Sequence, residues 1–337
     1  DLLESNEMSD ATQEKYWIGF DLGGTKMFSA VYGEKFVMLG KHRTKTKGHE
    51  GSKAGLRRII STIRQSLEDA GISDKTLNGI GIGCPGPLDL VNGILENAPN
   101  LGWRNVPIKK VLEDEFNCTV RIMNDVDAGV YGEYRFGAGR EYRTALGVFL
   151  GTGIGGGCVY EGQILRGAKS SCMEIGHMQV VPKGPLCGCG QHGCLEAVSS
   201  RLVISAQAAA AAFRGQAPHL LANHGADISQ IRSGALKESI RSGDIVIDRI
   251  VRDAARHIGV AVANIVHLLA PEVVVLGGGM VEAMPDLFIT EIKTVASERV
   301  LSTFSDSFNV VAAELGDLAS VLGAAAWTEH NADSSGP

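Results

Sequence analysis

Glu174–Glu196 reads E-I-G-H-M-Q-V-V-P-K-G-P-L-C-G-C-G-Q-H-G-C-L-E and gathers more metal-binding side chains than any other stretch of the chain. Cys187, Cys189 and Cys194 fall within eight residues, and His177 lies ten positions before the first of them. Thiolates and imidazoles are the donors zinc takes, and a closed tetrahedral site needs four. Gly188, Gly190 and Gly193 let the backbone turn tightly enough for three sulfurs to converge on one ion. Glu174 and Glu196 bracket the cluster. The pattern predicts a zinc-clamped loop that aims two carboxylates and His177 at a polyhydroxy ligand. Disulfides and unligated buried thiols are the alternatives. Cys187 and Cys189 are too close in sequence to pair comfortably, and disulfides are uncommon in a reducing compartment.

Glycine-rich turns are the second chemical signal. Tyr16–Asp21 (YWIGFD) and Met27–Tyr32 (MFSAVY) read as strands joined by the turn Leu22–Lys26 (LGGTK). A strand on both sides makes this a β-hairpin and not a strand-to-helix phosphate loop. No G-x-x-x-x-G-K-[ST] run occurs. Glycine amides at Gly23 and Gly24, with Thr25 and Lys26, can still cradle phosphate oxygens. Thr144–Leu150 is a second apolar strand, followed by Gly151–Gly157 (GTGIGGG) and the strand Cys158–Gly162 (CVYEG). Two such hairpins predict a duplicated domain with one phosphate loop from each half. A third glycine run, Gly277, Gly278 and Gly279, follows the buried-type strand Glu272–Leu276 and lets backbone approach a flat ligand such as adenine.

A candidate base follows the strand Thr119–Met123 in Asn124-Asp125-Val126-Asp127. Strand carboxyl ends border the ligand crevice of open α/β sheets, which makes Asp125 a possible base. The other reading is that Asp125 caps the next helix. These residues alone leave both readings open.

The elements that must position these groups alternate in α/β fashion. Ser52–Gly71 is an amphipathic helix with Leu56, Ile59, Ile60, Ile63 and Leu67 on one face. Leu77–Gly83 is a strand ending in the loop Cys84–Asp89, Asn97–Trp103 is a loop, and Val106–Phe116 a helix. Val198–Phe213 reads as one Ala-rich helix, followed by a polar stretch to Ser233. Asp244–Leu269 is a long helix ended by Pro271. Pro285–Arg299 and Asp317–His330 are further helices, with Asn309–Ala312 a strand between them. His257 and His267 sit within helical pattern and read as structural.

At 337 residues the chain has room for two domains. Apolar residues make up 44% and charged residues 21%, as in an ordinary globular protein. The net charge of −6 argues against a nucleic-acid or anionic-membrane surface. No apolar run approaches the ~20 residues a membrane helix needs, and no signal peptide is visible. With seven cysteines and no leader, a cytoplasmic setting is expected.

Taken together, these residues resemble the ROK family of sugar kinases, bacterial glucokinases in particular, from about Tyr16 to Trp327. The resemblance is carried by D-L-G-G-T-K (Asp21–Lys26), P-G-P (Pro85–Pro87), P-N-L-G-W (Pro99–Trp103) and N-D (Asn124–Asp125). It continues with G-T-G-I-G-G-G, E-x-G-H (Glu174–His177) and C-x-C-G-x-x-G-C-L-E (Cys187–Glu196), in the family's order. It implies an actin-like, hexokinase-type two-domain ATPase fold with duplicated ribonuclease H-like domains. The smaller domain would hold 16–125 plus 316–330 and the larger 126–315, with mobile tails at 1–15 and 331–337. It further implies phosphorylation of a hexose, glucose first, at the 6-hydroxyl by ATP with Mg2+, and Asp125 as the general base. Asn100, Asn124, Glu174, His177 and Glu196 would bind sugar hydroxyls, and His177, Cys187, Cys189 and Cys194 would hold a structural zinc. Gly23, Gly24, Thr25, Lys26, Gly151, Thr152 and Gly153 would hold the phosphates, with Asp21 near the magnesium. Family members are commonly homodimers or homotetramers. Two departures are visible: Cys84 stands where an aliphatic residue is usual, and Val126-Asp127 replaces Ala-Asn or Ala-Asp.

Four other readings compete. Fructose, mannose, N-acetylglucosamine or N-acetylmannosamine are alternative acceptors within the family. A sugar-responsive repressor needs a DNA-binding domain before Asp21, where only 20 residues stand. A nicotinamide-dependent oxidoreductase fails on the strands after both glycine turns. A silent sugar sensor leaves Asp125 and the paired phosphate loops without a purpose.

Overall fold

The computed structural model describes residues 15–168 and 172–332. The tails expected to be mobile, 1–15 and 331–337, lie outside the described residues apart from 15, 331 and 332. Strands β1 (Tyr16–Leu22) and β2 (Lys26–Tyr32) form the predicted hairpin, and β3 (Met38–Lys45) extends it antiparallel. Helix α1 (Ser52–Ala70) buries Ile59, Ile63 and Leu67 and stops at Gly71, which takes the left-handed φ of 68° that suits a helix C-terminus. Strand β4 (Leu77–Cys84) runs parallel to β1. A small antiparallel sheet follows, of β5 (Leu88–Asp89), β6 (Ile94–Ala98) and β7 (Trp103–Val106). Helix α2 (Ile108–Phe116) then leads to β8 (Thr119–Asn124), which completes a sheet of order β3-β2-β1-β4-β8.

Helix α3 (Asp125–Phe136) crosses to the second half, which opens with β9 (Thr144–Leu150), β10 (Ile154–Tyr160) and β11 (Gln163–Ile164). After the cysteine loop come α4 (Leu195–Ser199), α5 (Arg201–Phe213), α6 (Pro218–His224), α7 (Ser233–Arg241) and α8 (Ile245–Leu269). Strand β12 (Val273–Gly277), α9 (Gly279–Ala283), α10 (Pro285–Arg299), β13 (Asn309–Ala312) and α11 (Ala319–His330) finish the chain. The second sheet has the order β11-β10-β9-β12-β13. Its sequence of pairings (antiparallel, antiparallel, parallel, parallel) repeats that of the first sheet. The duplication inferred from two glycine turns is therefore present in the topology.

Helices α3 and α11 pack side by side between the sheets, α11 on β1 and β4 and α3 on β9 and β10. Tyr131 meets Trp327 edge to face, with ring centroids 5.0 Å apart. The approach of α11 requires glycine beneath it. A Cβ at Gly19 would stand 1.7 Å from the Val321 carbonyl oxygen, and one at Gly81 would stand 1.9 Å from that of Ala324. Among the described residues no helix is long and apolar enough to cross a membrane.

Four local expectations are corrected. The loop at Asn97–Trp103 narrows to a turn, because Ala98 pairs with Trp103 and Asn97 with Arg104 across β6 and β7. The turn of the second hairpin shrinks to Gly151–Gly153, closed by the Gly151 amide donating to the Gly153 carbonyl at 2.9 Å. Gly155–Gly157 lie within β10. The helix expected over Val198–Phe213 is two helices, since Ser200 is extended and its hydroxyl accepts from the Val203 amide. The polar stretch to Ser233 contains α6, anchored by buried Leu220 alone, and α7 begins at Ser233.

Candidate active site

The junction of β8 and α3 sets the centre of the site. Asn124 Oδ1 accepts hydrogen bonds from the amides of Val126 (2.9 Å) and Asp127 (3.3 Å), so Asn124 is the N-cap. The capping role that the sequence allowed Asp125 therefore belongs to its neighbour. Asp125 is the first helical residue, and its Oδ1 also accepts from Val126 at 2.9 Å. Burial, reinforced by the charge of Asp21, pushes the Asp125 carboxyl up to about 6. Asp21, at the end of β1, is also raised to about 6 by burial, which the Ser320 hydroxyl partly offsets by donating to its Oδ1 at 3.2 Å. Asp127 is deeper. Burial raises it to about 7 against the pull of Arg166, with Asp125 and Glu174 adding to the rise. Cys84 lies fully buried under this group, its thiol pushed up by burial and by the charges of Asp125 and Asp21.

Asp125 faces a cleft of about 710 Å³. Of the expected nucleotide residues, Asp21, Lys26, Gly151, Gly153, Gly277, Gly278 and Gly279 line it. Gly23, Gly24, Thr25 and Thr152 are not in that lining. Gly23 and Thr25 are tied to the end of β3, where the Thr46 hydroxyl donates to the Gly23 carbonyl at 2.7 Å and the Thr46 amide to that of Thr25 at 2.9 Å. The Thr152 hydroxyl accepts from Arg201 at 2.8 Å. Sequence reasoning missed Arg43, Glu133, Glu282, Asp317 and Ser320, which also line the cleft. Glu133 fastens its far wall: its carboxylate accepts from the amides of Ala138, Glu314 and Leu315 at 2.8–3.1 Å. No local pattern marks Arg43, Asp317, Ser320 or the bonds of Glu133 to 314 and 315, because these partners lie far apart in sequence.

Asn124 faces a second cavity, of about 720 Å³. Glu174 and His177 share its lining with Gly86, Pro87, Leu88, Asp89, Leu90, Glu96 and Ala168. The polar groups of Asp89 and Glu96 were not singled out from the sequence. Glu196 reaches toward the second glycine turn, where its Oε2 accepts from the Ile154 amide at 3.0 Å. Asn100 stands beside the first glycine turn, since a Cβ at Gly24 would meet its Nδ2 at 3.1 Å. Neither Glu196 nor Asn100 lines the second cavity.

The cysteine loop is knit by its own backbone. The Cys187 amide donates to Gln191 at 2.8 Å, Gly190 to Cys187 at 2.9 Å, and Leu195 to Met178 at 2.8 Å. These bonds bring one donor atom each from His177, Cys187, Cys189 and Cys194 within 4.8 Å of one another. The Cys187 Sγ–His177 Nδ1 and Cys189 Sγ–Cys194 Sγ separations are both 3.7 Å. Zinc–sulfur bonds of about 2.3 Å in a tetrahedron give sulfur–sulfur edges of about 3.8 Å. The donor set fits zinc.

The family model described as "ROK family" matches residues 17–331. The chain is 35% identical over 314 residues to a glucokinase of Thermotoga maritima, spanning 91% of this chain and 95% of that protein. It is 29% identical over 309 residues to a putative xylose repressor of a Caldicellulosiruptor species, spanning 92% of this chain and 77% of that one. Among solved structures, a ROK family glucokinase of Streptomyces griseus in complex with glucose and AMPPNP superposes with a TM-score of 0.79 at 30% identity. That match covers 94% of this chain and 99% of the other. The two repeated sheets and the two central helices thus form an actin-like, hexokinase-type fold.

Proposed function

The chain belongs to the ROK family, and on that footing we propose that it is a sugar kinase that transfers the terminal phosphoryl group of ATP to the 6-hydroxyl of a hexose, glucose first. One observation carries this reading: the consecutive residues Asn124 and Asp125 line two different cavities. A sugar seated beside Asn124, Glu174 and His177 presents a hydroxyl to Asp125, on the edge of the cleft that the glycine turns line. The similarity to glucokinases supports glucose as the acceptor.

Asp125 acts as the general base. With its carboxyl near 6 it is ionised at neutral pH and a stronger base than an ordinary aspartate. It accepts a hydrogen bond from the attacking hydroxyl, aligns it, and takes its proton as the bond to phosphorus forms. Phosphoryl transfer asks the protein chiefly for alignment and charge neutralisation. Lys26 and the amide of Gly153 supply part of that charge, the Gly151 amide being spent on closing the turn. Asp21, which lines the cleft, would hold magnesium, and magnesium bound with ATP would offset phosphate charge. Asn124 caps α3 through Oδ1, so its Nδ2 is left to donate to a sugar hydroxyl. Glu174 and His177, which share that cavity, are the further hydroxyl contacts; Glu196 and Asn100 stand at the two glycine turns, outside its lining, and would meet only a hydroxyl that extends toward those turns. Losing any one charge-assisted bond of this kind weakens sugar binding about 10- to 150-fold.

His177, Cys187, Cys189 and Cys194 would hold the zinc, which when bound supplies a structural clamp with no open position for chemistry. The clamp holds His177 and the adjoining Glu174 toward the second cavity. We take 16–125 with 316–330 and 126–315 as the two domains, and a homodimer or homotetramer as the working assembly. The unpaired state of all seven cysteines suits the cytoplasm.

An ADP-release assay with ATP against glucose, fructose, mannose, N-acetylglucosamine and N-acetylmannosamine tests the proposal. Turnover with glucose well above the others is expected. Turnover with another hexose moves the acceptor, and none with any overturns the kinase reading. The likeness to a xylose repressor supports a second reading, a sugar-responsive regulator without catalysis. Sugar-dependent DNA binding with no ADP release would establish it.

A further inference from the structure

We propose that Arg43 binds the outer phosphates of the nucleotide, waiting in the free enzyme on Phe28 and Asp317 for that ligand. The proposal rests on the kinase reading above and adds to it a residue that sequence motifs do not mark.

Three observations converge on Arg43. The first is register. Asp21 faces Phe28 across β1 and β2, and Phe28 faces Arg43 across β2 and β3, so the three form a row on one face of the sheet. Lys26 and Lys45, paired one step further along, stand on that face too. The row starts at the carboxylate proposed to meet magnesium and ends at a guanidinium, with both ends lining the nucleotide cleft.

The second observation is charge. The described lining of the cleft carries five carboxylates and two cations, Lys26 and Arg43. A triphosphate entering there needs every positive group it can reach, and Arg43 is half of that supply.

The third is the way Arg43 is held. Its guanidinium carbon lies 4.0 Å from the Phe28 ring centroid, which fixes the plane of the fork. Among the described residues its one hydrogen bond runs from Nη1 to Asp317 Oδ2, at 2.8 Å. Among the described residues the remaining N–H donors have no side-chain or backbone partner, and the two side chains are 45% and 78% exposed. An ion pair this exposed is weak and readily exchanged. A planar fork with spare donors matches two phosphate oxygens, which the point charge of a lysine does not. Asp317 then has a clear part: it shields Arg43 from Lys26 and Lys45 until phosphate takes its place.

Calorimetric titration of the wild type, Arg43→Gln, Arg43→Lys and Asp317→Asn with magnesium and AMPPNP, and separately with AMP, tests this. Arg43→Gln should weaken AMPPNP about 10- to 150-fold, the value of one charge-assisted hydrogen bond. AMP, which lacks the outer phosphates, should bind within about twofold of wild type. Arg43→Lys should recover part of the loss, since it keeps the charge and loses the fork. Asp317→Asn should leave AMPPNP affinity within about threefold of wild type or tighten it. The proposal is overturned if Arg43→Gln leaves AMPPNP unchanged or weakens AMP equally. It is also overturned if Asp317→Asn copies the Arg43→Gln loss, because the intact pair would then be what matters. Wild-type protein that binds no AMPPNP would instead refute the kinase reading, which keeps the two failures apart.

Discussion

Replacing Asp125 by Asn separates catalysis from folding, because the structure assigns the helix cap to Asn124. The cap bonds to Val126 and Asp127 are untouched, and an Asn oxygen at 125 can still accept from the Val126 amide. The fold should therefore persist. Its stability should rise with pH relative to wild type. A carboxyl raised from 3.8 to about 6 favours the folded state when protonated, and that contribution is lost as pH rises through 6. Two units correspond to about 3 kcal/mol, an upper bound for a half-buried group. Asn removes this penalty, so the variant should melt higher than wild type at pH 8, with a smaller advantage at pH 5. Turnover should move the other way. A general base is worth ~10²–10⁴ in rate, or about 3–5 kcal/mol of barrier. ADP release at saturating ATP and glucose, beside thermal unfolding at both pH values, reads the two effects. A variant that keeps more than about a tenth of wild-type turnover would refute the base assignment.

Three further outcomes follow from the same geometry. The rate at low sugar should fall on the acid side with an apparent pKa near 6, belonging to Asp125 coupled with Asp21; a flat profile from about pH 5 to 8 contradicts that. Asp127 is 6% exposed, and no side chain among the described residues is hydrogen-bonded to its carboxylate. Its rise from 3.8 to about 7 means that ionisation costs on the order of 4 kcal/mol of stability above neutral pH. Asp127→Asn should raise the melting temperature by several degrees at pH 8 and by less at pH 5, and an equal gain at both would show that charge is not the cause. Cys189→Ser should lose about one zinc per chain by elemental analysis and weaken sugar binding while sparing AMPPNP; metal-free wild-type protein with full sugar affinity would remove the clamp from the account.

What the sequence revealed was local in origin. The zinc donors lie within a short stretch, and both glycine turns announce themselves by the strands that flank them. The paired hairpins were enough to anticipate a duplicated domain, though not the strand order of either sheet. The choice between Asn124 and Asp125 as cap was not legible, because both residues cap well and one position of helix start decides it. Short helices α6 and α7 escaped because one or two buried apolar residues leave no period to detect. The second layer of the cleft was hidden for a different reason. Ser320 reaches Asp21 across 299 positions, and Arg43 reaches Asp317 across 274. Glu133 collects amides from 314 and 315, which no spacing rule connects to α3.

The seat of α11 on β1 and β4 bears on how the chain reaches this state. Gly19 and Gly81 touch carbonyls of Val321 and Ala324, so one face of the first sheet is closed by residues 302 and 243 positions later. Loop closure over that span must precede any gain from the contact, and pairings of high sequence separation form slowly. A nascent chain therefore carries β1 and β4 with an uncovered apolar face while the whole second half is synthesised. Such a face invites association between incomplete chains. In pulse-labelled refolding, amides of β1 and β4 should gain protection together with those of α11, after the β9–β10 hairpin is already protected. The half of the protein that is made first is the half that is finished last.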